Sequence, residues 1–200
     1  MNKEPNKRDL DFLYELGSLR NVQRGWRQHV GMDVANDLEH SLRVAWIAMI
    51  LARMEGVKND EKIIKMALVH DIAETRVSDL SYVQKAYATA DEQAAADDLF
   101  RGTSLEDLNS DVLHEYKERK SIESKIVKDA DNLDLDLEMR ELEERGSQLP
   151  KKWYNMRKSL RDEKLYTESA KKLWDMIQDV DIDEWHISYN KFNKFPDAGR

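Results

Sequence analysis

The segment MALVHDIAE, residues 66–74, carries a histidine and an aspartate at the end of one of the most apolar runs in the chain. Apolar side chains recur at helical spacing before it, which predicts a helix from residue 60 to about residue 75 with His70 on its buried face. Glu74 follows His70 by four residues and would share that face one turn later. Because buried polar side chains are costly unless they are paired, this segment predicts a helical core with a site inside it.

Polar residues interrupt two other predicted helices in the same way. His40 stands in line with apolar residues on a helix that Asn36 or Asp37 could cap. Asp131 lies among apolar neighbours on a later helix. The interrupting residues, on three separate helices, are His40, His70, Asp71 and Asp131.

A divalent metal ion is the predicted reason for this set. A single histidine on an apolar face is more often a hydrogen-bonded core residue, and we interpret His29, His114 and His186 in that way. Two buried imidazoles and two buried carboxylates would instead repel one another or stay unsatisfied unless a cation joined them. Nitrogen and oxygen ligands together suit Mn²⁺, Co²⁺, Ni²⁺, Fe²⁺ or Zn²⁺ better than Ca²⁺.

The composition favours long helices in one cytoplasmic domain. The 200 residues include only 7 Gly and 3 Pro, so few residues are present that would break helices. Charged residues make up 36% and both signs are mixed, which is typical of helices with one buried and one solvated face. There is no cysteine, no apolar run long enough to span a membrane, and a net charge of −8. This charge argues against binding to a nucleic-acid polymer.

We predict an all-α fold, a helical bundle of about six to eight helices. One domain would cover residues 1–180, followed by a C-terminal tail over residues 181–200 that packs on the body or on a partner subunit. The basic stretch over residues 151–172 is interpreted as a solvated face. Predicted helices lie at about 9–19, 37–55, 60–75, 80–99, 105–118, 121–145 and 161–179, with a loop at about 20–37.

The predicted loop contains two candidate substrate contacts. Arg24 could donate paired hydrogen bonds to a phosphate group. Trp26 could stack on a base, with packing in the core as an equally good interpretation.

Two acids near the His-Asp pair are candidates for catalysis. A carboxylate at Glu74 could orient or deprotonate the attacking water, although an ion pair with Arg76 or Lys65 is the alternative. Asp79, just past the predicted helix, is a second acid candidate or an acceptor for a substrate hydroxyl group.

The ordered pattern resembles the HD-domain phosphohydrolase superfamily, and within it the branch that includes the 5′-deoxynucleotidases. The resemblance spans roughly residues 16–142. It rests on EHSLRVA (residues 39–45), HDIAE (residues 70–74) with Asp79, and VKDAD (residues 127–131).

The resemblance implies a role for each matching residue. His40, His70, Asp71 and Asp131 would hold the metal, Glu74 would activate water, and Asp79 would lie near the sugar. The branch also carries an arginine and a tryptophan before the first motif. Trp26 matches the tryptophan, whereas Arg24 has an unusual spacing that leaves Arg20 and Arg27 as alternatives. Ser78 stands where the branch usually has glycine, and relatives are commonly dimers, which implies a homodimer here.

The leading hypothesis is a metal-dependent phosphohydrolase that cleaves (deoxy)ribonucleoside 5′-monophosphates to nucleoside and phosphate. The same site would also suit a nucleotide pyrophosphate, an alarmone or a phosphodiester. A hypothesis of another class is a non-catalytic helical module that binds a nucleotide or a partner. The acids at Glu74 and Asp79 argue against this module, because a purely structural metal site needs neither. A scaffold protein without a metal is a fourth, weaker interpretation, which metal analysis of the purified protein would test.

Overall fold

The computed structural model describes residues 6–188, apart from the side chain of Ile187, and their regular structure is helical. This confirms the predicted all-α class. One isolated bridge joins Gln23 to Asn36. The α-helices are α1 (Lys7–Gly17), α2 (Arg27–Val30), α3 (Asp37–Met54), α4 (Asp60–Val69), α5 (Glu74–Val77), α6 (Glu92–Phe100), α7 (His114–Glu118), α8 (Ile122–Glu144), α9 (Leu149–Lys164), α10 (Glu168–Asp179) and α11 (Glu184–Ser188).

The long helices α3 and α8 form the centre of the fold, and α4 packs beside them. Helix α3 begins where the sequence predicted, because the Asn36 side chain accepts hydrogen bonds from the backbone N–H groups of Leu38 and Glu39, and the Glu39 carboxylate accepts one from the Asn36 backbone N–H. This reciprocal cap satisfies backbone donors that a helix start leaves open. Its buried face, from Val44 to Ala52, then joins the main apolar core, which extends from Phe12 to Ile177.

A buried aspartate of α8 separates α9 from α10. The Asp129 carboxylate accepts hydrogen bonds from the backbone N–H groups of Tyr166 and Thr167 and from the Thr167 hydroxyl, each at 2.8 Å. The predicted single helix over residues 161–179 is therefore wrong at residues 165–167, where the chain turns. The preceding helix α9 was not predicted, since its polar sequence has few apolar residues to reveal a buried stripe.

Two other sequence interpretations are wrong in part. The predicted helix at 80–99 begins only at Glu92, because residues 84–86 form a 3₁₀ turn and the Asp91 side chain caps the next helix.

The second concerns the basic stretch over residues 151–172. Arg157 in this stretch is buried rather than solvated, and it forms two hydrogen bonds to the Asp136 carboxylate, at 2.7 and 2.8 Å. A buried arginine is stable there because its charge is paired.

The backbone leaves helical geometry at the His-Asp pair. Helix α4 ends at Val69, not at residue 75 as predicted, and the next turns are tighter: Ile72 N–H donates to the Val69 carbonyl and Glu74 N–H to the Asp71 carbonyl. Glu74 then starts the short helix α5. No glycine or proline marks this break in the sequence, so the hydrophobic pattern alone could not predict it.

Helix α11 contains the described end of the chain, and Trp185 on it is largely exposed. The predicted tail from residue 189 to residue 200, with Tyr189, Phe192 and Phe195, lies outside the described residues. Among the described helices none is both long and apolar enough to cross a membrane. The boundary at residue 180 between domain and tail stays a prediction.

Candidate metal centre and active site

The structure brings the four interrupting residues together. One ligand atom from each of His40, His70, Asp71 and Asp131 lies within 4.8 Å of the other three. Asp71 Oδ2 is 3.1 Å from His70 Nε2 and 3.5 Å from His40 Nε2, and Asp131 Oδ1 is 3.3 Å from His40 Nε2. Helices α3 and α8 carry His40 and Asp131, as predicted, whereas His70 and Asp71 lie in the turn after α4 and not on a third helix. The group is able to bind a metal ion.

Both histidines direct their Nε2 atoms at the centre. His70 Nδ1 lies 2.7 Å from the Ala67 carbonyl oxygen, which can only accept, so Nδ1 carries the proton and Nε2 is the free lone pair. His40 Nδ1 lies 2.6 Å from Asp134 Oδ2 and is fixed in the same tautomer. Among the described residues neither Nε2 atom has a hydrogen-bond partner, although both are buried. Two orphaned imidazole nitrogens beside two carboxylates fit a divalent ion.

Asp134 is a supporting residue that the sequence reasoning missed. Its carboxylate holds His40 and is itself held by Arg43, which reaches on to Glu141 at 2.7 Å. Although burial acts to lower the pKa of His40, the carboxylates of Asp131, Asp134 and Asp71 raise that pKa well above its usual value. In the metal-free protein a proton on His40 Nε2 therefore supplies positive charge at the centre, and a metal ion would bind in place of that proton.

The two aspartates of the group remain ionised despite their burial. Burial acts to raise the pKa of Asp71, but His70 and His40 hold it well below the usual value. Burial likewise acts to raise the pKa of Asp131. The nearby Lys128 ammonium is the largest of the effects that hold this pKa well below its usual value. Lys128 Nζ lies 2.6 Å from Asp131 Oδ2. The carboxylates are therefore available as anionic ligands.

A second group of acids lies beside the first and consists of Asp37, Glu74 and Asp79, whose oxygens lie within 4.8 Å of one another. Burial, reinforced by the neighbouring carboxylates of Asp71, Asp79 and Asp37, raises the pKa of Glu74 to about 12. Burial also raises the pKa of Asp37 to about 6. The sequence suggests Asp37 only as a helix cap. Its position before an apolar stripe does not indicate a functional site.

Arg24 is the arginine that faces the site. Its Nη1 lies 3.5 Å from Asp71 Oδ2 and 3.6 Å from Asp37 Oδ1, and its Nε lies 3.6 Å from Asp79 Oδ2. The two alternatives point elsewhere: Arg20 donates to the Gly17 carbonyl, and Arg27 contacts Gln23 and Asp33. Although the spacing between Arg24 and Trp26 is unusual, the Arg24 side chain therefore reaches the His-Asp pair.

Trp26 lies in a separate apolar cluster. Its side chain is buried with Met139 and Leu142 of α8, and Val30 packs against the same cluster. Its indole Nε1 has no hydrogen-bond partner among the described residues. This placement matches the core-packing interpretation, and contact between Trp26 and a substrate stays a prediction.

Two loops meet to form a cleft next to Arg24. Gly25 N–H donates to Asp79 Oδ2 at 2.9 Å, and a Cβ atom at Gly25 would lie only 2.5 Å from the backbone oxygen of Asp79 and the backbone nitrogen of Ser81. Only glycine allows this approach. The open cleft beside it has a volume of about 770 Å³, within the range of small-molecule sites. Its wall includes Arg24, Gly25, Gln28, Ser78, Asp79 and Gln84.

Ser78 occupies a conformation that favours glycine, with φ of 62° and ψ of 159°. A non-glycine residue in this region costs roughly 1–3 kcal/mol. We expect Ser78→Gly to raise the unfolding free energy by about 1 kcal/mol, after about 0.4–1 kcal/mol is lost to the greater freedom of glycine in the unfolded chain. The melting temperature of Ser78→Gly should therefore be about 2–4 °C higher than that of the wild-type protein. A lower melting temperature would contradict the strain assigned to Ser78.

The fold and the site together identify the class of protein to which this chain belongs. The family model of the HD domain matches residues 16–174 of this chain. The chain therefore belongs to the HD-domain family, and the class predicted from the sequence, a metal-dependent phosphohydrolase, is confirmed.

Curated relatives are similar over most of this length. The 5′-deoxynucleotidase HDDC2 of Dictyostelium discoideum is 31% identical over 161 residues, which cover 72% of this chain and 82% of the relative. The 5′-deoxynucleotidase HDDC2 of Danio rerio is 29% identical over 141 residues, which cover 68% of this chain and 70% of the relative.

Solved structures share the fold. A conserved hypothetical protein from Pyrococcus furiosus superimposes with a TM-score of 0.71 at 24% identity, covering 86% of this chain and 99% of its own. A protein from Magnetospirillum magnetotacticum, described as a predicted metal-dependent phosphohydrolase, gives a TM-score of 0.67 at 21% identity over 86% of this chain and 90% of its own. At these identities the likeness supports the helical fold alone.

Proposed function

We propose that this protein is a 5′-nucleotidase that hydrolyses nucleoside 5′-monophosphates, deoxyribonucleotides included, to nucleoside and inorganic phosphate. The observation that carries the proposal is the convergence of two unpaired imidazole nitrogens and two carboxylates beside Arg24 at the edge of an open cleft. The similarity to 5′-deoxynucleotidases supports the choice of a monophosphate substrate.

In this proposal His40, His70, Asp71 and Asp131 hold one divalent ion. That ion would supply Lewis acidity, lowering the pKa of a water molecule and neutralising charge on the phosphoryl group. Mn²⁺, Co²⁺, Ni²⁺, Fe²⁺ and Zn²⁺ all suit two nitrogen and two oxygen ligands. Asp134 and the Ala67 carbonyl keep the two imidazoles in the tautomer that binds a cation.

The neighbouring residues act on the substrate and on the attacking water. The Arg24 guanidinium, held between Asp71 and Asp79, would donate to the phosphate oxygens. The bound cation would offset the neighbouring carboxylates and lower the pKa of Glu74 from its raised value in the metal-free protein, so that Glu74 would ionise and take the proton of the attacking water as general base. Asp79 lies on the cleft wall and would accept a hydrogen bond from a sugar hydroxyl group, while its Oδ2 keeps Gly25 in place.

A phosphate-release screen tests this function. The purified protein is incubated with each nucleoside and deoxynucleoside 5′-monophosphate in the presence of Mn²⁺, Co²⁺, Ni²⁺, Zn²⁺ or Mg²⁺. We expect release from monophosphates with at least one of these ions. Faster turnover of a nucleotide pyrophosphate, an alarmone or a cyclic diester would assign the site to another HD-type reaction, and metal binding without turnover of any of them would favour a non-catalytic module.

We further propose that the protein works in the cytoplasm as a homodimer, and the outer face of α3 supports a second copy as its partner. Large apolar side chains recur there every fourth residue and are 40–62% exposed: Leu38, Leu42, Trp46, Ile50 and Met54. Such a row can interdigitate with the same row of another helix. An antiparallel pair about Trp46 would also bring the acidic start of α3, with Glu39, near Arg53 of the partner copy at its far end.

Light scattering combined with size exclusion measures this association. We expect the wild-type protein to have the mass of two chains and Trp46→Glu to have the mass of one, because a charge at the centre of the row would be buried unpaired. The exposed Tyr87, outside α3, provides a matched control as Tyr87→Glu. A monomeric wild-type protein, or a dimeric Trp46→Glu variant, would rule out this interface.

A further inference from the structure

The two oxygens of the Asp131 carboxylate have different partners. Oδ1 lies 3.3 Å from His40 Nε2 at the centre, whereas Oδ2 lies 2.6 Å from Lys128 Nζ. Lys128 precedes Asp131 by three residues on α8, so both side chains lie on the same face of this helix. A contact of 2.6 Å between an ammonium and a carboxylate is a short charge-assisted hydrogen bond. Lys128 therefore occupies one of the two oxygens that Asp131 has for a cation.

Lys128 is committed to this one carboxylate. In the part of the chain that the structure describes, it forms an ion pair with Asp131 and with no other acid. The Asp131 charge is the largest cause that holds the pKa of Lys128 above its usual value, against the opposing effect of burial. The ammonium is therefore charged at neutral pH and stays at Oδ2.

The number of oxygens that Asp131 provides decides how many positions on a bound ion stay open. A carboxylate binds a cation through one oxygen or through both. With one ligand atom from each of the four residues of the centre, a six-coordinate ion such as Mn²⁺ keeps two positions for water or substrate. Coordination by both oxygens of Asp131 would leave only one. Catalytic metal sites differ from structural ones in keeping such positions open.

We propose that Lys128 is a positioning residue, which restricts Asp131 to a single metal-binding oxygen and thereby keeps a coordination position open for substrate. The proposal rests on the metal centre of the proposed function but not on the choice of substrate. Without the ammonium, Oδ2 becomes a further ligand and a nearby positive charge is lost, so the ion binds more tightly. The same change exposes the ion to less water.

Water proton relaxation with half an equivalent of Mn²⁺ per chain tests the proposal, because bound Mn²⁺ relaxes the solvent through the water molecules in its open positions. We expect Lys128→Met to lower the relaxation enhancement about two-fold, since one open position remains instead of two. Its Kd for Mn²⁺, measured in the same titration, should also fall. Lys128→Arg should keep the wild-type enhancement, because a guanidinium can still donate to Oδ2.

Lys125→Met is the matched control. Lys125 lies one turn earlier on α8 and forms no ion pair among the described residues, so its loss should change neither the enhancement nor the Kd. A lower Kd in Lys128→Met without a lower enhancement would show that Lys128 only repels the ion, and would overturn the proposal. Weaker Mn²⁺ binding by a folded Lys128→Met would overturn it as well, because a lysine that only stabilises the folded site gives that result.

Circular dichroism establishes whether Lys128→Met is folded. If it is not, the water molecules on Mn²⁺ in the wild-type protein are counted from the broadening of its electron paramagnetic resonance signal in water enriched in the magnetic isotope of oxygen. Two water molecules support the proposal, and fewer overturn it. A wild-type protein that binds no Mn²⁺ would refute the metal centre together with the role of Lys128. The expected enhancements without phosphate release would refute only the nucleotidase activity.

Discussion

Replacing Asp71 with alanine should abolish both metal binding and phosphate release. Asp71 is the one residue of the centre whose carboxylate faces both imidazoles, His40 at 3.5 Å and His70 at 3.1 Å, and it also faces Arg24 at 3.5 Å. Without it the centre keeps a single carboxylate, Asp131, which already shares its charge with Lys128. A divalent ion would then lose its central anionic ligand.

The expected loss of turnover is at least about a thousand-fold, because a catalytic metal contributes several kcal/mol of transition-state stabilisation and each 1.4 kcal/mol is a factor of ten. Phosphate release and the Co²⁺ content of the purified variant are measured together. Asp98→Ala, at a half-exposed aspartate of α6, is the control and should keep wild-type activity and Co²⁺ content. An Asp71→Ala variant that retains Co²⁺ or turnover would remove Asp71 from the centre.

The four residues at this centre could be predicted because each one contradicts its surroundings. A buried histidine or aspartate inside an apolar stripe costs free energy, and this cost can be anticipated from the sequence. The coincidence of four such residues on three segments predicts a shared ion. The same rule missed Asp37, because a carboxylate in the first turn of a helix is favourable for its own local reason. It also missed Asp134, since the acidic residues that surround it on α8 hide which of them point inward.

The local backbone was less predictable than the site. The sequence placed His70 and Glu74 one turn apart on a continuous helix, whereas the structure brings Glu74 to the site through tight turns after Val69. The predicted continuous helix and the observed tight turns both place Glu74 near Asp71. The predicted local structure was wrong, but it indicated the same candidate acid. The contact of Gly25 with Asp79 depends on two loops that are distant in sequence, and no periodicity could have indicated it.

Glu74→Gln should lower turnover by about 10²–10⁴-fold while Co²⁺ remains at the His-Asp centre. The amide has nearly the shape of the carboxyl group but cannot accept the proton of the attacking water, and this range is typical for the loss of a general base. The four residues of the centre are unchanged in the variant, so its Co²⁺ content should match that of the wild-type protein. Wild-type turnover in Glu74→Gln would exclude Glu74 as the base.

The same variant should be more stable than the wild-type protein when both are free of metal. Burial and the adjacent carboxylates raise the pKa of Glu74 from 4.5 to about 12, so the folded protein holds a proton that the unfolded chain releases above pH 4.5. Stability contributed by this proton is complete below pH 4.5 and is lost as the pH rises toward 12. Glutamine has no such proton to lose. The melting temperature of Glu74→Gln should therefore exceed that of the wild type by a margin that widens from pH 5 to pH 9, whereas a margin independent of pH would show that Glu74 ionises freely in the folded protein.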